Sequence, residues 1–367
     1  MDLKITKEDL LDGIQVVQNA VSQKSSLPIL SNVLLEAGGK ALKLTATDLD
    51  IGICSSIPVS VEQEGAIAVP ARKFFDIIKA LPDGSEIALS MKKNNYVTIK
   101  SGKAQFKIMG LPKEEFPELP PFKDKDSINI DQNTLKEMLN LTDFAVSKDD
   151  TRYVLNGILL LVKGDQISIV ATDGRRLAAI HKKLPKKTIV DRSAIIPAKT
   201  VQEVKRMLGE EGEVQIKFSE NEVLFSFENN FVLSRLIEGE YPNYKKVIPE
   251  KTTQELRISR EDFLSAARRA SIFTDQDSMA VKLSIKKKKM TISKNTSYLG
   301  EAREEIEIDY NGTGDVDIGF NPRYLIDVLK SLTDEEVVFE VNDSNKPGVI
   351  RRGEEYTYVV LPMQLTA

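Results

Sequence analysis

The chain has 367 residues, 41% of them hydrophobic and 29% charged, with 51 lysines and arginines against 55 aspartates and glutamates. Its formal charge of −4, with no net positive third and no basic tail, excludes a protein that grips nucleic acid through overall charge; such a partner would need positive groups gathered on one face. Cys54 is the only cysteine, which excludes an intrachain disulfide and points to a reducing compartment. No secretory leader is read at Met1-Asp-Leu-Lys4 and no apolar run is long enough to span a bilayer, so a cytoplasmic placement away from the membrane is expected.

Residues 2–5 alternate as a short strand, and Thr6 with Asp9 three positions on forms an acidic helix cap. The helix that follows carries Leu10, Leu11, Ile14, Val17 and Val21 at helical spacing. Strand signals come at 33–35 and 42–47, and Ile67-Ala-Val-Pro70 leads into a second helix with Phe74, Phe75, Ile78 and Leu81 on one side. Pro82-Asp-Gly84 ends that helix, and alternating runs at 86–91, 96–100 and 104–108 follow. Residues 112–127, with four prolines and many charges, have the composition of a linker.

The order then restarts. Ile128-Asn-Ile130 predicts a strand, Asp131 a cap, and Leu135, Met138, Leu139 and Thr142 a helix; strands are read at 154–162 and 166–171. Ile195-Ile-Pro197 opens the helix of Val201, Val204 and Leu208, before strands at 213–218, 222–227 and 230–236 and a second boundary near Pro249. A third pass runs from Leu256-Arg-Ile258 and the cap Ser259 through the helix of Phe263, Leu264 and Ala267, strands at 279–285 and 289–293, the helix of Leu325, Val328, Leu329 and Leu332, and closing strands at 337–341 and 356–361.

One stretch anchors the repeat. Ala171-Thr-Asp-Gly-Arg-Arg-Leu177 ends an alternating run, and the run Leu42-Lys-Leu-Thr-Ala-Thr-Asp48 has the same shape one copy upstream; Met290-Thr-Ile-Ser293 is a weaker echo. The chain therefore reads as three copies of one α+β domain, 1–123, 124–250 and 251–367, each large enough for its own core. Within each copy a strand, a helix and antiparallel strands occur twice, and helices on one face of the sheets would let the halves share a core.

The second helix of each copy repeats a charge pattern: Arg72, Asp76, Lys79; Lys199, Glu203, Arg206; Arg323, Asp327, Lys330. The i, i+4, i+7 spacing places each trio on one helical face, opposite the apolar stripe. A solvated surface is the plain reading; three matched copies favour loose contact with phosphate. The first helices add Lys7, Lys136, Arg260, Arg268 and Arg269, mixed with Glu8, Glu137 and Glu261.

Reactive chemistry does not converge anywhere. His181 is the only histidine and stands beside Lys182-Lys183, so zinc is not expected; Cys54 follows Ile51-Gly-Ile53 and reads as a small buried hydrophobe. Asp48, Asp50 and Asp173 read as turn residues that bond to backbone N–H groups rather than as magnesium ligands. Gly38-Gly39 and Gly312-Thr-Gly314 lack the continuation of a phosphate-binding loop. Binding is the better class of function, with no catalytic residue, no metal and no cofactor expected.

Six motifs carry a resemblance: Ser26-Leu-Pro-Ile-Leu30, Val69-Pro-Ala-Arg-Lys-Phe-Phe75, Arg152-Tyr-Val-Leu-Asn-Gly157, Ala171-Thr-Asp-Gly-Arg-Arg-Leu177, Tyr241-Pro-Asn-Tyr244 and Tyr358-Val-Val-Leu-Pro-Met363. In this order, over essentially the whole chain, they resemble the bacterial DNA polymerase III beta subunit, the sliding clamp family. The resemblance implies the DNA clamp fold: a head-to-tail homodimeric ring with sheets outside and helices lining the hole. It implies a non-catalytic processivity factor that encircles double-stranded DNA without reading sequence. Implied partners are the replicative DNA polymerase catalytic subunit, the clamp-loader ATPase, and other repair and replication proteins with short clamp-binding motifs rich in Leu and Phe. The implied setting is the bacterial cytoplasm, at the nucleoid during replication.

The resemblance also implies three sets of site residues. A partner-peptide groove takes Leu155, Thr172, Gly174, Arg175, Arg176, Leu177, Pro242 and Val247 from the second copy and Asn321, Tyr324, Ser344, Val360, Pro362 and Met363 from the third. Leu177 is expected in its floor, and Arg175 and Arg176 at the polar or acidic end of the motif. Arg175 stands where some relatives carry histidine, and Gln364 where a basic residue is common, which bears on partner preference. The DNA-facing set is Lys24, Arg72, Lys79, Lys199, Arg206, Arg269, Arg323 and Lys330. The dimer interface pairs Phe106 and Ile108 with Ile272 and Phe273, and Lys73 and Lys103 with Glu301, Glu304 and Glu305. Two other readings stay open on the residues alone: a scaffold that does not encircle DNA, and an enzyme with active sites shared at domain junctions.

Overall fold

The computed structural model describes residues 1–22, 27–92, 94–119, 122, 126–250, 254–276, 278–296 and 298–365. Among the described residues the α-helices are α1 (Lys7–Val17), α2 (Ala71–Ala80), α3 (Gln132–Asn140), α4 (Ala198–Met207), α5 (Arg260–Ser271) and α6 (Pro322–Ser331). Two predicted caps are made: the Thr6 hydroxyl accepts from Asp9 N at 3.2 Å, and the Ser259 hydroxyl from Asp262 N at 3.3 Å. Each satisfies one N–H that the first helical turn leaves without an intrahelical acceptor. Helix α3 stops at Asn140, short of Thr142, whose hydroxyl donates back to the Met138 carbonyl at 2.8 Å. No helix among the described residues is long and apolar enough to cross a membrane.

The chain divides into two compact units, Met1–Asn133 with Gln202–Leu236, and Thr134–Val201 with Ile237–Ala367. In the first, a five-stranded antiparallel sheet runs Ser60–Gln63, Asp2–Thr6, Glu86–Met91, Tyr96–Ser101, Ala104–Met109. Its eight-stranded sheet runs Asp126–Asp131, Glu213–Phe218, Glu222–Ser226, Asn230–Arg235, Ile51–Pro58, Ala41–Thr47, Asn32–Gly38, Gly65–Pro70. In the second unit a nine-stranded sheet runs Asp191–Pro197, Gly157–Lys163, Gln166–Thr172, Arg176–Lys183, Tyr356–Val360, Gly348–Arg352, Glu336–Glu340, Glu255–Ser259, Asp309–Tyr310. A four-stranded sheet runs Gly300–Glu307, Lys289–Thr296, Val281–Lys286, Val316–Phe320.

Strand pairing joins the copies to one another. Ile51–Pro58 of the first copy pairs with Asn230–Arg235 of the second, Gly52 opposite Leu233. Arg176–Lys183 of the second copy pairs with Tyr356–Val360 of the third, Leu177 opposite Val359. The sheets thus run through the copy boundaries, and strand edges that would otherwise lack partners at each boundary satisfy each other. The first part of the 112–127 stretch, 112–119, is built into the fold. It forms a 3-10 turn at Lys113–Glu115, directly after Leu111 has paired with Ala68, and buries Phe116 against Leu34 and Ala68.

The residue that opens each first helix has a shared job that its charge alone concealed. Lys7 donates to the Leu81 carbonyl at the end of α2 and to Asp83 Oδ1, both at 2.5 Å. Arg260 donates to the Leu329 carbonyl in the last turn of α6 at 3.2 Å and to the Asp334 carbonyl at 2.9 Å. Gln132, in the middle copy, accepts from Gly209 N at 2.8 Å, just past α4. A cation at the carbonyl end of a helix is favourably placed, so Lys7 and Arg260 join the two helices of their copies and are not surface charge.

Candidate functional site

The cleft of interest, about 160 Å³, is built on the turn between strands Gln166–Thr172 and Arg176–Lys183. The Thr172 hydroxyl donates to the Arg176 carbonyl at 2.6 Å and accepts from Gly174 N at 3.0 Å; Asp173 Oδ1 accepts from Arg175 N and Arg176 N at 2.9 and 3.0 Å. Gly174 takes φ +83°, the left-handed conformation that a residue without a Cβ adopts freely. The turn thus meets its own polar demands and presents the following strand to the cleft.

All eight groove residues expected from the second copy line this cleft: Leu155, Thr172, Gly174, Arg175, Arg176, Leu177, Pro242 and Val247. Four residues outside the expected set join them: Asn243, Tyr244, Val359 and Leu361. Leu155, Leu177 and Val359 belong to a buried cluster with Leu159, Val170 and Tyr241. Above them the apolar lining opens to solvent, Val247 being 55% and Leu361 43% exposed. Burial pushes the Tyr241 and Tyr244 hydroxyls above their usual range; Tyr244 stands in the lining as a neutral wall, and Tyr241 lies in the cluster beneath it.

The six residues expected from the third copy do not line the cleft. Val360 is fully buried between Arg176 and Gly348 in the sheet register. Its neighbours Val359 and Leu361 are in the lining instead, because side chains alternate along a strand and a one-residue slip exchanges the faces. Alternation within Tyr358-Val-Val-Leu361 was the signal available for this. Asn321 caps α6 by accepting from Arg323 N at 3.0 Å, and Ser344 is exposed in the loop before Gly348–Arg352. Met363 bonds through its backbone to the Gly319 carbonyl at 2.8 Å, carrying the tail with Pro362 along strand Val316–Phe320. The Tyr324 ring lies beneath the guanidinium of Arg176, 4.5 Å from ring centre to Cζ.

Arg176 is a structural element of the site rather than a free hand. Its Nε donates to Asp173 Oδ2 at 3.0 Å, Nη1 to Asp327 Oδ2 at 2.6 Å and Nη2 to the Phe144 carbonyl at 2.6 Å. The Phe144 ring packs on it as well, at 5.5 Å. Burial works against its charge, but Tyr358, Asp327 and Asp173 outweigh that and hold its pKa above the ordinary value. With every nitrogen engaged, Arg176 is poorly placed to hold a partner's acidic end; Arg175, exposed at the turn, is the group with that freedom.

Among the candidate phosphate-contacting residues, Arg72, Lys79, Lys199, Arg206, Arg323 and Lys330 are all exposed. Lys24 lies outside the described residues. Arg206 is paired with the buried Glu203 at 2.5 Å, and Lys79 rests over the Phe75 ring. Asp327, the acid of the third trio, turns to Arg176. Arg269 is held by Glu304 through two bonds at 2.9 and 2.7 Å.

The candidate interface residues fall on sheet edges. Ala104–Met109, with Phe106 37% exposed and Ile108 buried, is the last strand of the five-stranded sheet. Gly300–Glu307, bearing Glu301, Glu304 and Glu305, is the first strand of the four-stranded sheet. Ile272, 72% exposed, ends α5; the carbonyl of the half-buried Phe273 accepts from the Thr296 hydroxyl at 2.7 Å. Lys73 and Lys103 are exposed. Glu304 and Glu305 already have partners within the chain, Arg269 and Lys289. Among the described residues no group of His, Cys, Asp or Glu is arranged to hold a metal.

A repeated α+β protein whose sheets cross its copy boundaries and which carries a cleft with an apolar floor belongs to the class of binding scaffolds. Comparison with known proteins is specific. Sequence models of the DNA polymerase III beta subunit match throughout: the N-terminal domain at residues 1–120, the central domain at 129–243 and the C-terminal domain at 245–364. The beta sliding clamp of Salmonella typhimurium is 33% identical over 369 residues, covering 100% of both chains. The crystal structure of the sliding clamp from Bartonella birtlesii, bound to griselimycin, matches with TM-score 0.94 and 36% identity over 100% of each chain. That of the DNA polymerase sliding clamp from Bacillus subtilis gives TM-score 0.94 and 32% identity, again over 100% of each. The chain belongs to the bacterial DNA polymerase III beta subunit, or beta sliding clamp, family. It has the three-domain α+β clamp fold, it is a non-catalytic subunit, and its general role is that of a DNA clamp serving polymerase processivity.

Proposed function

We propose that two copies of this chain close head to tail into a ring that encircles duplex DNA, slides along it without reading sequence, and tethers the replicative polymerase through the cleft at Leu177. The cleft carries this reading. A partner's Leu or Phe side chain entering it would be covered by Leu155, Leu177, Val247, Val359 and Leu361, and each fully buried side chain contributes about 1.5–3 kcal/mol. Arg175 would meet the polar or acidic end of the motif. The clamp loader and other replication and repair proteins would take turns at the same cleft, in the bacterial cytoplasm at the nucleoid.

Ring closure is supported by two edge strands, Ala104–Met109 and Gly300–Glu307, with Phe106 and Ile272 exposed beside them. Edge strands are ready-made templates for pairing with another chain, and a head-to-tail contact closes into a ring when its rotation permits. Exposed basic residues on the second helices of all three copies suit diffuse phosphate contact on an acidic body, which retains DNA without stopping movement. The test titrates a polymerase-derived Leu/Phe peptide against the wild type and against Val247→Asp/Leu361→Asp, with mass measured by sedimentation in parallel. A loss of tenfold or more in peptide affinity, about 1.4 kcal/mol, with the dimer intact supports the reading. Unchanged affinity removes the cleft from it, and a monomer at micromolar wild-type concentration removes the ring.

A further inference from the structure

The turn Ala46-Thr-Asp-Leu-Asp50 of the first copy repeats the turn of the cleft bond for bond. The Thr47 hydroxyl donates to the Ile51 carbonyl at 2.9 Å and accepts from Leu49 N at 3.0 Å; Asp48 Oδ1 accepts from Asp50 N and Ile51 N at 3.0 and 2.9 Å. Leu49 holds φ +80°, where Gly174 holds +83°. The next strand pairs alike, Gly52 opposite Leu233 as Leu177 is opposite Val359. Gly52 therefore occupies the position at which Leu177 forms the floor of the cleft.

The space over Gly52 is taken. Leu119 Cδ2 and Cδ1 both lie within 3.0 Å of where a Cβ on Gly52 would stand. Such an approach is closed to any residue with a Cβ unless the leucine moves, so glycine is the seat and Leu119 the occupant. The tip of Leu119 thus crowds the place that corresponds to the Leu177 Cβ. It arrives on the connector Phe116-Pro-Glu-Leu119, anchored by the buried Phe116. The corresponding segment at the second junction is Tyr241-Pro-Asn-Tyr244. Leu119 itself lines a cleft of about 420 Å³ whose apolar side is Leu34, Phe116, Leu224, Phe231 and Leu233 and whose charged side is Glu36, Lys43, Lys113 and Glu118.

We propose that Leu119 is a built-in occupant of a second, degenerate groove at the junction of the first two copies. The connector Phe116-Pro-Glu-Leu119 is itself a Leu- and Phe-bearing segment seated on the sheet. It closes the first junction to partners and confines each chain to one peptide. Removing the leucine leaves an apolar seat one side chain deep, shaped for the leucine of an incoming Leu/Phe peptide. This inference rests on the groove reading above, and the test separates the two.

The experiment uses the full-length chain with the first groove blocked by Val247→Asp/Leu361→Asp, and a fluorescent polymerase-derived Leu/Phe peptide as probe. Adding Leu119→Ala to this blocked chain is expected to restore saturable binding at one peptide per chain. Affinity should rise about tenfold or more over the blocked chain, the factor that burying one leucine supplies. Leu119→Val, which removes less and spares the fold should alanine prove too costly, is expected to restore binding more weakly. Leu119→Ile, which refills the seat, is expected to restore none. If folded Leu119→Ala and Leu119→Val chains bind no better than the blocked chain, the proposal is overturned. If the blocked chain still binds as the wild type does, the groove reading has failed instead.

Discussion

Arg176 donates to Asp327 at 2.6 Å and so ties the floor of the cleft to helix α6, whose exposed ends carry Arg323 and Lys330. The side chain of Arg176 is 9% exposed and that of Asp327 36%, so the two ends of this bond have different worth. Asp327→Asn keeps the shape and removes the charge at a partly wet site; a stability loss of about 1 kcal/mol is expected. Arg176→Ala strips Asp173 of its buried partner and empties the space between two rings, which should cost about 3–5 kcal/mol. Urea denaturation measures both. Peptide affinity should fall with Arg176→Ala because the turn that shapes the cleft loosens, even though Arg176 need not touch the peptide.

Lys7 and Arg260 are expected to matter for stability and not for DNA. Lys7→Met leaves the Leu81 carbonyl without its buried donor and should destabilise by about 1.5–3 kcal/mol, the range for bonds to charged groups. Denaturation midpoints test the first half. The second half is tested by retention on DNA, which Lys7→Met should leave unchanged at a temperature where the variant is folded.

Neutralising Arg72, Lys199, Arg323 and Lys330 together to glutamine is expected to flatten the salt dependence of DNA retention. The logarithmic slope should shrink by up to about 0.9 for each phosphate that the chain no longer neutralises. Any one of the four changes should have little effect, since the binding is diffuse. Arg269 and Arg206, tied to Glu304 and Glu203, should contribute less than Arg72, Arg323 and Lys330. An equal effect from Arg269→Gln would contradict this ranking.

Acid should weaken the fold from the surface inward. The hydrogen bond from Arg269 holds the Glu304 carboxyl below its usual range, that from Lys182 does the same for Glu355, and that from Lys282 for Asp317. A carboxyl whose folded pKa is depressed adds stability that is complete above its unfolded value and is lost as pH falls through the folded one. Thermal melts should therefore be flat from neutrality down to about pH 5 and fall below it. Lys182→Met should shrink the acid limb, because Glu355 then loses its main partner.

Much of this was legible in the sequence wherever local rules decide. The caps at Thr6 and Ser259 follow from residue type and spacing, and the Thr-Asp turn recurs because its side chains bond to their own backbone. What was hidden depends on partners distant in the chain. Lys7 looked like surface charge until Leu81 came to meet it. The linker composition of 112–127 concealed a buried Phe116, and the seat of Leu119 on Gly52 joins residues whose chemistry says nothing of each other. Strand-to-strand joins across copies, such as Leu177 with Val359, are set by sheet register, which periodicity alone leaves open.

The central claim is topological, and one measurement addresses it most directly. The labelled chain is loaded by its clamp loader onto nicked circular duplex, freed of loader by gel filtration, and followed before and after a single restriction cut. A closed ring is expected to stay on the circle through the column, at salt that dissolves simple phosphate contacts, and to leave within minutes of linearisation. Equal retention on circular and linear DNA would contradict encirclement and leave a scaffold that only touches the duplex.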